Sequence, residues 1–120
     1  RGRVEGCFRA GSVRDDIAGA YEIALQSSQK LSERALIALG IFDIKDDIQR
    51  IIAPTLVIVG EQDQTCPLSM AEIIHKSIAG SRLVTIPACA HLVPVEQPQA
   101  FLEALSSFLR KIENDVANST

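Results

Sequence analysis

The spacing of apolar and polar residues predicts a helix near the start of the chain. Ser12 can accept a hydrogen bond from a free backbone N–H, and Asp15 and Asp16 follow where acids favour the positive end of a helix dipole. Apolar residues then recur at the three- and four-residue spacing of one helix face, which predicts a single buried stripe. The residues of this stripe are Val13, Ile17, Ala20, Tyr21, Ala24 and Leu25.

A second helix and a short connecting segment are predicted next. Ser32 is a candidate cap, Ala35, Leu36 and Leu39 form the apolar face, and Gly40 is typical of a helix end. Residues 41–51 mix acids with isoleucines, which predicts a short helix or turn whose acids form a solvated face.

From residue 55 the pattern predicts a strand, a helix and a second strand. Residues 55–59, TLVIV, are aliphatic without alternation, which is typical of a strand covered on both faces in a parallel sheet. Residues 69–80 predict a helix with a Ser start and a Gly stop, and residues 82–87, RLVTIP, predict a strand ended by proline. The connection is long enough for a right-handed parallel crossover, so we expect an α/β fold.

A final amphipathic helix is predicted from Gln97 and Pro98 onwards, and the polar tail ENDVANST is expected to fray. The apolar stripe of this helix consists of Phe101, Leu102, Leu105, Phe108, Leu109 and Ile112.

Two titratable side chains follow the ends of the two predicted strands. Asp63 lies in the loop after the first strand and His91 in the loop after the second. Because the carboxyl ends of parallel strands meet at one edge of a sheet, we expect these side chains to lie next to each other. The small residues at 88–90 would let backbone and substrate approach closely.

Such a pair is suited to general base catalysis. The carboxylate of Asp63 would accept from one ring N–H of His91 and stabilise the imidazolium, while the other ring nitrogen takes a proton from a nucleophile. Two alternatives stay open: a purely structural His–Asp contact on a loop edge, and Glu61 as the acid in place of Asp63.

The remaining candidate groups have simpler interpretations. If the two loops meet, Cys66 and Cys89 would lie near Asp63 and His91, and these four residues could in principle bind a metal ion. The spacing matches no familiar zinc motif, however, and two small buried cysteines are the simpler interpretation. Cys66 is a poor candidate nucleophile because it shares the loop of the acid, and a Cys66–Cys89 disulfide would need oxidation. His75 is expected to be exposed or partly packed, and Glu96 to cap the last helix. We therefore expect neither a metal nor a cofactor.

Composition excludes several classes of protein. The 120 residues are 47% apolar and 22% charged with a formal net charge of −3, which is typical of a soluble globular protein. No basic run suggests a nucleic-acid partner, and no apolar run reaches the ~18 residues of a membrane span. Three cysteines favour a reduced, cytoplasmic setting. A start without Met or an apolar signal core suggests a processed chain, an excised domain or a fragment.

Residues 51–110 resemble the C-terminal part of α/β-hydrolases. The resemblance rests on IIAPTLVIVGEQDQTCP and on SRLVTIPACAHLVPVEQPQAFLEALSSFL: a Pro-Thr-aliphatic strand, Gly and an acid, then a strand, small residues, His and a Pro-led helix. It implies Asp63 as the acid and His91 as the base of a Ser-His-Asp triad, acting on a small-molecule carboxylic ester or lactone. The EQPQAF ending is most similar to 3-oxoadipate enol-lactonase-like hydrolases. Residues 1–50 would then be the end of a helical cap with its connecting helix, and residues 51–120 the C-terminal βαβα part of the core.

The sequence lacks several features of that family pattern, among them the earlier strands of the sheet. No Gly-x-Ser-x-Gly nucleophile motif and no HGGG-like oxyanion segment are present. Four serines precede Asp63, but all lie in helix or helix-cap contexts, so we reject each as the nucleophile; they are Ser12, Ser27, Ser28 and Ser32. We therefore expect the chain to be part of a hydrolase that supplies acid and base, and to be inactive by itself.

The alternative is a noncatalytic α/β association module or a degenerate remnant. In either case two strands leave an edge open and apolar surface uncovered, so we expect self-association into a homo-oligomer through exposed strand or helix surfaces.

Overall fold

The predicted α/β fold is confirmed: two parallel strands are flanked by helices. The computed structural model describes residues 6–12, 14–26 and 28–119, so Val13 of the predicted stripe and Ser27 lie outside the described residues. In chain order the elements are α1 (Arg14–Leu25), α2 (Gln29–Ile41), a 3-10 helix (Ile48–Arg50), β1 (Leu56–Gly60), α3 (Leu68–Ser77), β2 (Arg82–Ile86), α4 (Val93–Glu96) and α5 (Pro98–Ala117).

The two strands run parallel and end at the same level. Leu56 pairs with Arg82 at one end of the ladder and Gly60 with Ile86 at the other. The sheet has these two strands among the residues described. Because both strands finish at the Gly60–Ile86 pair, the loops that follow them leave from the same edge of the sheet, and this is what positions the candidate site.

The core lies between the sheet, the loop after β2 and the last two helices. Ile86, Cys89 and Val93 are its buried members. Ile58, Val84, Ala100 and Phe101 pack against them from β1, β2 and α5. Full burial of an aliphatic side chain of this size stabilises a fold by roughly 1.5–3 kcal/mol. The loop that carries His91 is therefore anchored by apolar packing on both sides.

Two predicted helix starts are wrong. Helix α2 begins before Ser32, whose hydroxyl donates to the carbonyl oxygen of Ser28 within the first turn. Helix α3 begins after Pro67, so Ser69 lies inside it. The Ser12 hydroxyl donates to the Arg9 carbonyl and to the carboxylate of Glu96. Its capping of α1 stays a prediction, because Val13, which joins it to the helix, lies outside the described residues.

Two predicted helix ends also differ. Helix α3 ends at Ser77, because buried Ile78 leaves the helix and Gly80 follows in a turn with φ of +73°. The C-terminal tail is helical through Ala117 rather than frayed from residue 113.

The first two helices leave most of their apolar residues exposed. In α1, Ile17, Ala20 and Tyr21 of the predicted stripe are partly buried, whereas Ala24 and Leu25 are exposed, so the predicted burial holds for only part of the stripe. Every residue from 30 to 47 is exposed. Leu25 is 82% exposed and Ile37 67% exposed. None of the apolar residues of α2 is buried within the described part of the chain. No helix among the described residues is both long enough and apolar enough to cross a membrane.

Candidate functional site: an Asp–His pair at the sheet edge

The loops that follow β1 and β2 are joined directly by backbone hydrogen bonds. The amide of Glu61 donates to the Ile86 carbonyl at 2.9 Å, and the amide of Gln62 donates to the Cys89 carbonyl at 2.8 Å. These bonds continue the strand pairing beyond the end of the sheet. The two residues that the sequence predicts to meet, Asp63 and His91, follow immediately.

Asp63 is buried, and both of its carboxylate oxygens are used. Its side chain is 6% exposed. Oδ1 accepts from the backbone amides of Thr65 and Cys66, each at 2.8 Å. Oδ2 lies 2.9 Å from Nδ1 of His91. The two amides fix the orientation of the carboxylate, so Oδ2 is directed at the imidazole before any substrate binds.

The surroundings of Asp63 favour its ionised form. Burial alone would raise the pKa of this carboxyl group, but the hydrogen bonds from the Cys66 amide, the His91 ring and the Thr65 amide together outweigh burial. The pKa of Asp63 therefore lies below its ordinary value of 3.8. At neutral pH the carboxylate is an acceptor only, so Nδ1 of His91 carries the proton of this hydrogen bond.

His91 is held at both its backbone and its ring. Its backbone amide donates to the carbonyl oxygen of Cys7 at 2.9 Å, and Nδ1 faces Asp63. The side chain is 33% exposed. Because Nδ1 is engaged, Nε2 is the nitrogen available to accept a proton. An ionised acid, an oriented imidazole and a free Nε2 are what a general base requires.

A close backbone approach between the two loops requires glycine at position 60. A Cβ placed on Gly60 would lie 2.5 Å from the carbonyl oxygen of Cys89 and closer still to that of Ala90. Real Cβ atoms do not make such contacts, and both obstacles are backbone atoms. Gly60 thus lets the His91 loop lie directly on the end of β1.

The loop before His91 adopts an uncommon backbone conformation. Ala88 has φ of +49°, in the left-handed region that residues with a side chain rarely occupy. Its carbonyl accepts from the Gln97 side-chain amide at 3.1 Å, and its amide is 3.4 Å from a carboxylate oxygen of Glu61. Contacts from Glu61 and Gln97 thus lie on both polar groups of the Ala88 backbone in this turn.

Glu96 does not cap the last helix, so that prediction is wrong. No side-chain cap bond is present at the start of α5. Instead, Oε1 of Glu96 accepts from the Ala90 amide at 3.0 Å, and Oε2 accepts from the Arg9 amide at 2.9 Å and the Ser12 hydroxyl at 3.2 Å. Glu96 thereby links the His91 loop to the segment before α1. Sequence reasoning missed this link because the partners lie up to 87 residues away.

These contacts bear on the other groups that the sequence analysis considered, namely Glu61, the two cysteines and His75. Glu61 is exposed and contacts the Ala88 amide rather than His91, so it is not the acid. Cys66 is exposed and Cys89 fully buried, and both are free thiols. Within the described residues no three His, Cys, Asp or Glu side chains are grouped so as to hold a metal ion. His75 is partly packed on α3, with Nδ1 at 2.8 Å from the Ser81 hydroxyl.

An apolar cavity of about 710 Å³ lies between α1 and the residues that follow His91. Its lining consists of Cys7, Asp15, Asp16, Gly19, Ala20, Ile23, Ala24, Leu92 and Val95. Cys7 and Leu92 connect the cavity to the pair, since Cys7 accepts from the His91 amide and Leu92 is the next residue in the chain. A second cavity, of about 550 Å³, lies near Pro54 and Arg82, where the two strands begin, and is therefore at the end of the sheet away from Asp63 and His91.

Comparison with known proteins identifies the family. The α/β-hydrolase family model described as TAP-like protein matches residues 43–120. The proline iminopeptidase of Saccharolobus solfataricus is 32% identical over 71 residues, which cover 59% of this chain and 23% of that protein. Monoacylglycerol lipase ABHD6 of Mus musculus is 32% identical over 73 residues, or 61% of this chain and 22% of that protein.

Solved structures agree. An esterase from Exiguobacterium antarcticum superposes with a TM-score of 0.85 at 28% identity, covering 91% of this chain and 41% of that one. The enol-lactonase from Burkholderia xenovorans LB400 gives the same TM-score at 20% identity over 91% of this chain and 43% of that one, a likeness of fold alone. The chain belongs to the α/β-hydrolase family, as the sequence resemblance implies. It spans less than a quarter of the curated relatives above and less than half of these two solved chains.

Proposed function

We propose that this chain supplies the acid and the base of a Ser-His-Asp hydrolase that cleaves carboxylic esters. The observation that carries the proposal is the 2.9 Å contact between Nδ1 of His91 and Oδ2 of a buried, doubly anchored Asp63. Nε2 of His91 removes the proton from a serine hydroxyl, and that serine attacks the ester carbonyl. The imidazolium then returns the proton to the leaving alcohol, while Asp63 stabilises the charge.

The nucleophile belongs to a segment outside these 120 residues, because they contain no Gly-x-Ser-x-Gly motif. In this proposal the serine and the oxyanion donors come from the rest of a longer hydrolase chain. Their absence from this sequence is the reason why we expect the isolated chain not to hydrolyse esters. Turnover of an activated ester by the isolated chain, lost in His91→Ala, would contradict that expectation.

Residues 1–50 are proposed to be the end of a cap over the substrate, with its connecting helix. Two observations support this role. Helix α1 forms one wall of the cavity beside His91, and α2 exposes apolar residues that a covering element would need for packing. Residues 51–120 are the βαβα part that carries the pair.

An ester with an apolar acyl group suits the cavity best. Its lining is largely aliphatic, and its two titratable acids are Asp15 and Asp16. Two carboxylates at the site would repel a substrate that carries its own carboxylate. The narrower proposal of a 3-oxoadipate enol-lactonase-like activity is supported by fold likeness and the EQPQAF ending, and the same acids oppose it.

A segment exchange tests the proposed chemistry. This chain would replace the matching segment of the Exiguobacterium esterase, and hydrolysis of p-nitrophenyl butyrate would be measured. We expect an active hybrid in which His91→Ala or Asp63→Asn lowers kcat by about 10³-fold or more. The exposed acid Glu103 provides the matched control, and Glu103→Gln should leave kcat unchanged. A hybrid whose activity is unaffected by either substitution in the pair would refute the proposal.

A noncatalytic association module is the second candidate, and the exposed apolar face of α2 favours it. The reading frame upstream of Arg1 separates the two. An in-frame Gly-x-Ser-x-Gly supports the hydrolase, and a start codon directly before Arg1 supports the module. Under either proposal we infer a cytoplasmic protein, because an odd number of cysteines in this chain favours a reduced setting over a disulfide framework.

A further inference from the structure

Glu96 connects three separate parts of the molecule through one carboxylate. It lies at the end of α4, and its two oxygens face in different directions. Oε1 accepts from the amide of Ala90, directly before His91. Oε2 accepts from the amide of Arg9 and the hydroxyl of Ser12, in the segment that enters α1. The backbone amides of Ala90 and Arg9 can only donate, so each oxygen of Glu96 must act as an acceptor.

The bond from Ala90 to Glu96 completes the fixation of the His91 backbone. The Cys89 carbonyl is held by the Gln62 amide, and the His91 amide is held by the Cys7 carbonyl. The Ala90 amide would be left buried without a partner if Glu96 were absent, because Ala90 is 2% exposed. An unsatisfied buried amide is costly, so the loop would shift to reach water or another acceptor. Such a shift would move the imidazole relative to Asp63.

The second oxygen extends this fixation to the wall of the cavity. The segment containing Arg9 and Ser12 also contains Cys7, whose carbonyl accepts from the His91 amide and whose side chain lines the cavity. Glu96 and Cys7 therefore fasten the same segment to the His91 loop at two points. The position of the imidazole depends on the position of the segment that enters α1.

We propose that Glu96 is a positioning residue for His91, fixing the imidazole against Asp63 by tying the His91 loop to residues 7–12. This inference rests on the proposed function for its catalytic meaning. The positioning itself is a property of the 120-residue chain and is measured there.

The experiment compares Glu96→Gln with the unmodified chain by NMR. Gln has one acceptor oxygen, so either the Ala90 side or the Arg9 side must face an NH₂ group that cannot accept. Loss of the Ala90 bond frees the backbone next to His91, and loss of the Arg9 bond loosens the segment whose Cys7 carbonyl holds the His91 amide. In either case we expect a folded chain in which the Nδ1–H resonance of His91 is lost and the backbone amide of His91 exchanges with solvent about tenfold faster or more. Ser12→Ala removes one donor and leaves both amide bonds, so the resonance should persist. Glu103→Gln, on the exposed face of α5, is the matched charge control.

The outcomes separate this inference from the proposed function. A Glu96→Gln chain that fails to fold, or that folds with an unchanged His91 resonance and exchange rate, would overturn the positioning role. If the resonance is lost but the segment-exchange hybrid hydrolyses no ester, Glu96 positions His91 and the hydrolase proposal fails. If the hybrid is active and Glu96→Gln leaves the resonance intact, the hydrolase proposal stands without this residue.

Discussion

Replacing Gly60 by alanine tests the closest contact in the site. The new Cβ would overlap the Ala90 carbonyl oxygen and lie 2.5 Å from the Cys89 carbonyl oxygen, whereas ordinary van der Waals contact begins at 3.4 Å. Clearing the Cys89 oxygen alone would require the loop to withdraw by about 0.9 Å, and clearing the Ala90 oxygen requires more. The Cys89 carbonyl accepts from the Gln62 amide at 2.8 Å, so this withdrawal would stretch that hydrogen bond beyond useful length. Since both neighbours are backbone, no side-chain rotation can relieve the contact.

The cost of this substitution combines two effects. Overpacking of this kind costs about 1–3 kcal/mol, and a lost backbone hydrogen bond costs about 0.5–1.5 kcal/mol more. We therefore expect Gly60→Ala to lower the free energy of unfolding by about 1.5–4.5 kcal/mol, a large fraction of the stability of a small domain. Urea denaturation followed by circular dichroism at 222 nm measures this difference, since the midpoint falls while the slope is retained.

Gly40→Ala is the matched control. Gly40 lies in α2, and a Cβ there would meet nothing within 4 Å. Alanine in an open helical position stabilises by up to about 1 kcal/mol relative to glycine. The two substitutions should thus change stability in opposite directions. A Gly60→Ala chain within about 0.5 kcal/mol of the unmodified chain, the usual range for a neutral surface change, would refute the close packing of the His91 loop on the end of β1.

Three further predictions concern pH, thiol reactivity and association. The pKa of Asp63 is lower in the folded than in the unfolded chain, so its ionised form stabilises the fold fully above the unfolded pKa, and this stability is lost as the pH falls below about 4. Asp63→Asn should therefore flatten the acid limb of the stability–pH curve. An unchanged acid limb would contradict the lowered pKa. Burial, followed by the nearby charge of Glu96, raises the pKa of the Cys89 thiol to about 11. At pH 8 iodoacetamide should therefore modify exposed Cys66 and spare Cys89 until urea unfolds the chain. Equal labelling of the two thiols in the folded chain would show that Cys89 is not buried. The exposed apolar residues of α2 predict self-association, which light scattering would detect as a mass above 13.0 kDa, whereas a stable monomer would count against it.

The strands and the meeting of Asp63 with His91 could be predicted from the sequence for a physical reason. An uninterrupted aliphatic run such as residues 55–59 is typical of a strand covered on both faces, and β1 lies within one residue of the predicted bounds. Once two strands are parallel, their carboxyl ends share an edge whatever the details of the loops. Asp63 and His91 therefore meet because the two strands are parallel neighbours. The local strand–helix–strand pattern of the sequence is sufficient to predict that arrangement.

The long-range hydrogen bonds that hold the His91 loop in place could not be predicted in this way. Glu96 bonds to Arg9 and Ser12, which are 87 and 84 residues away, and no local signal encodes such a contact. In the sequence, Ser12 has the position of a helix cap. In the fold its hydroxyl donates to Glu96, because a serine hydroxyl bonds to whichever partner the tertiary structure brings near. The exposure of the apolar residues of α2 could not be predicted for a related reason. An apolar stripe specifies that a face needs a partner, and it does not specify that the partner lies within the same 120 residues.

The tautomer of His91 tests the central claim most directly. Long-range ¹H–¹⁵N NMR on the 120-residue chain distinguishes a protonated Nδ1 from a protonated Nε2 in the neutral ring. An imidazole held by the Asp63 carboxylate should carry its proton on Nδ1 and keep Nε2 free, and Asp63→Ala should abolish that preference. A proton on Nε2, or a tautomer that does not respond to the loss of Asp63, would contradict the pairing of acid and base at this edge of the sheet.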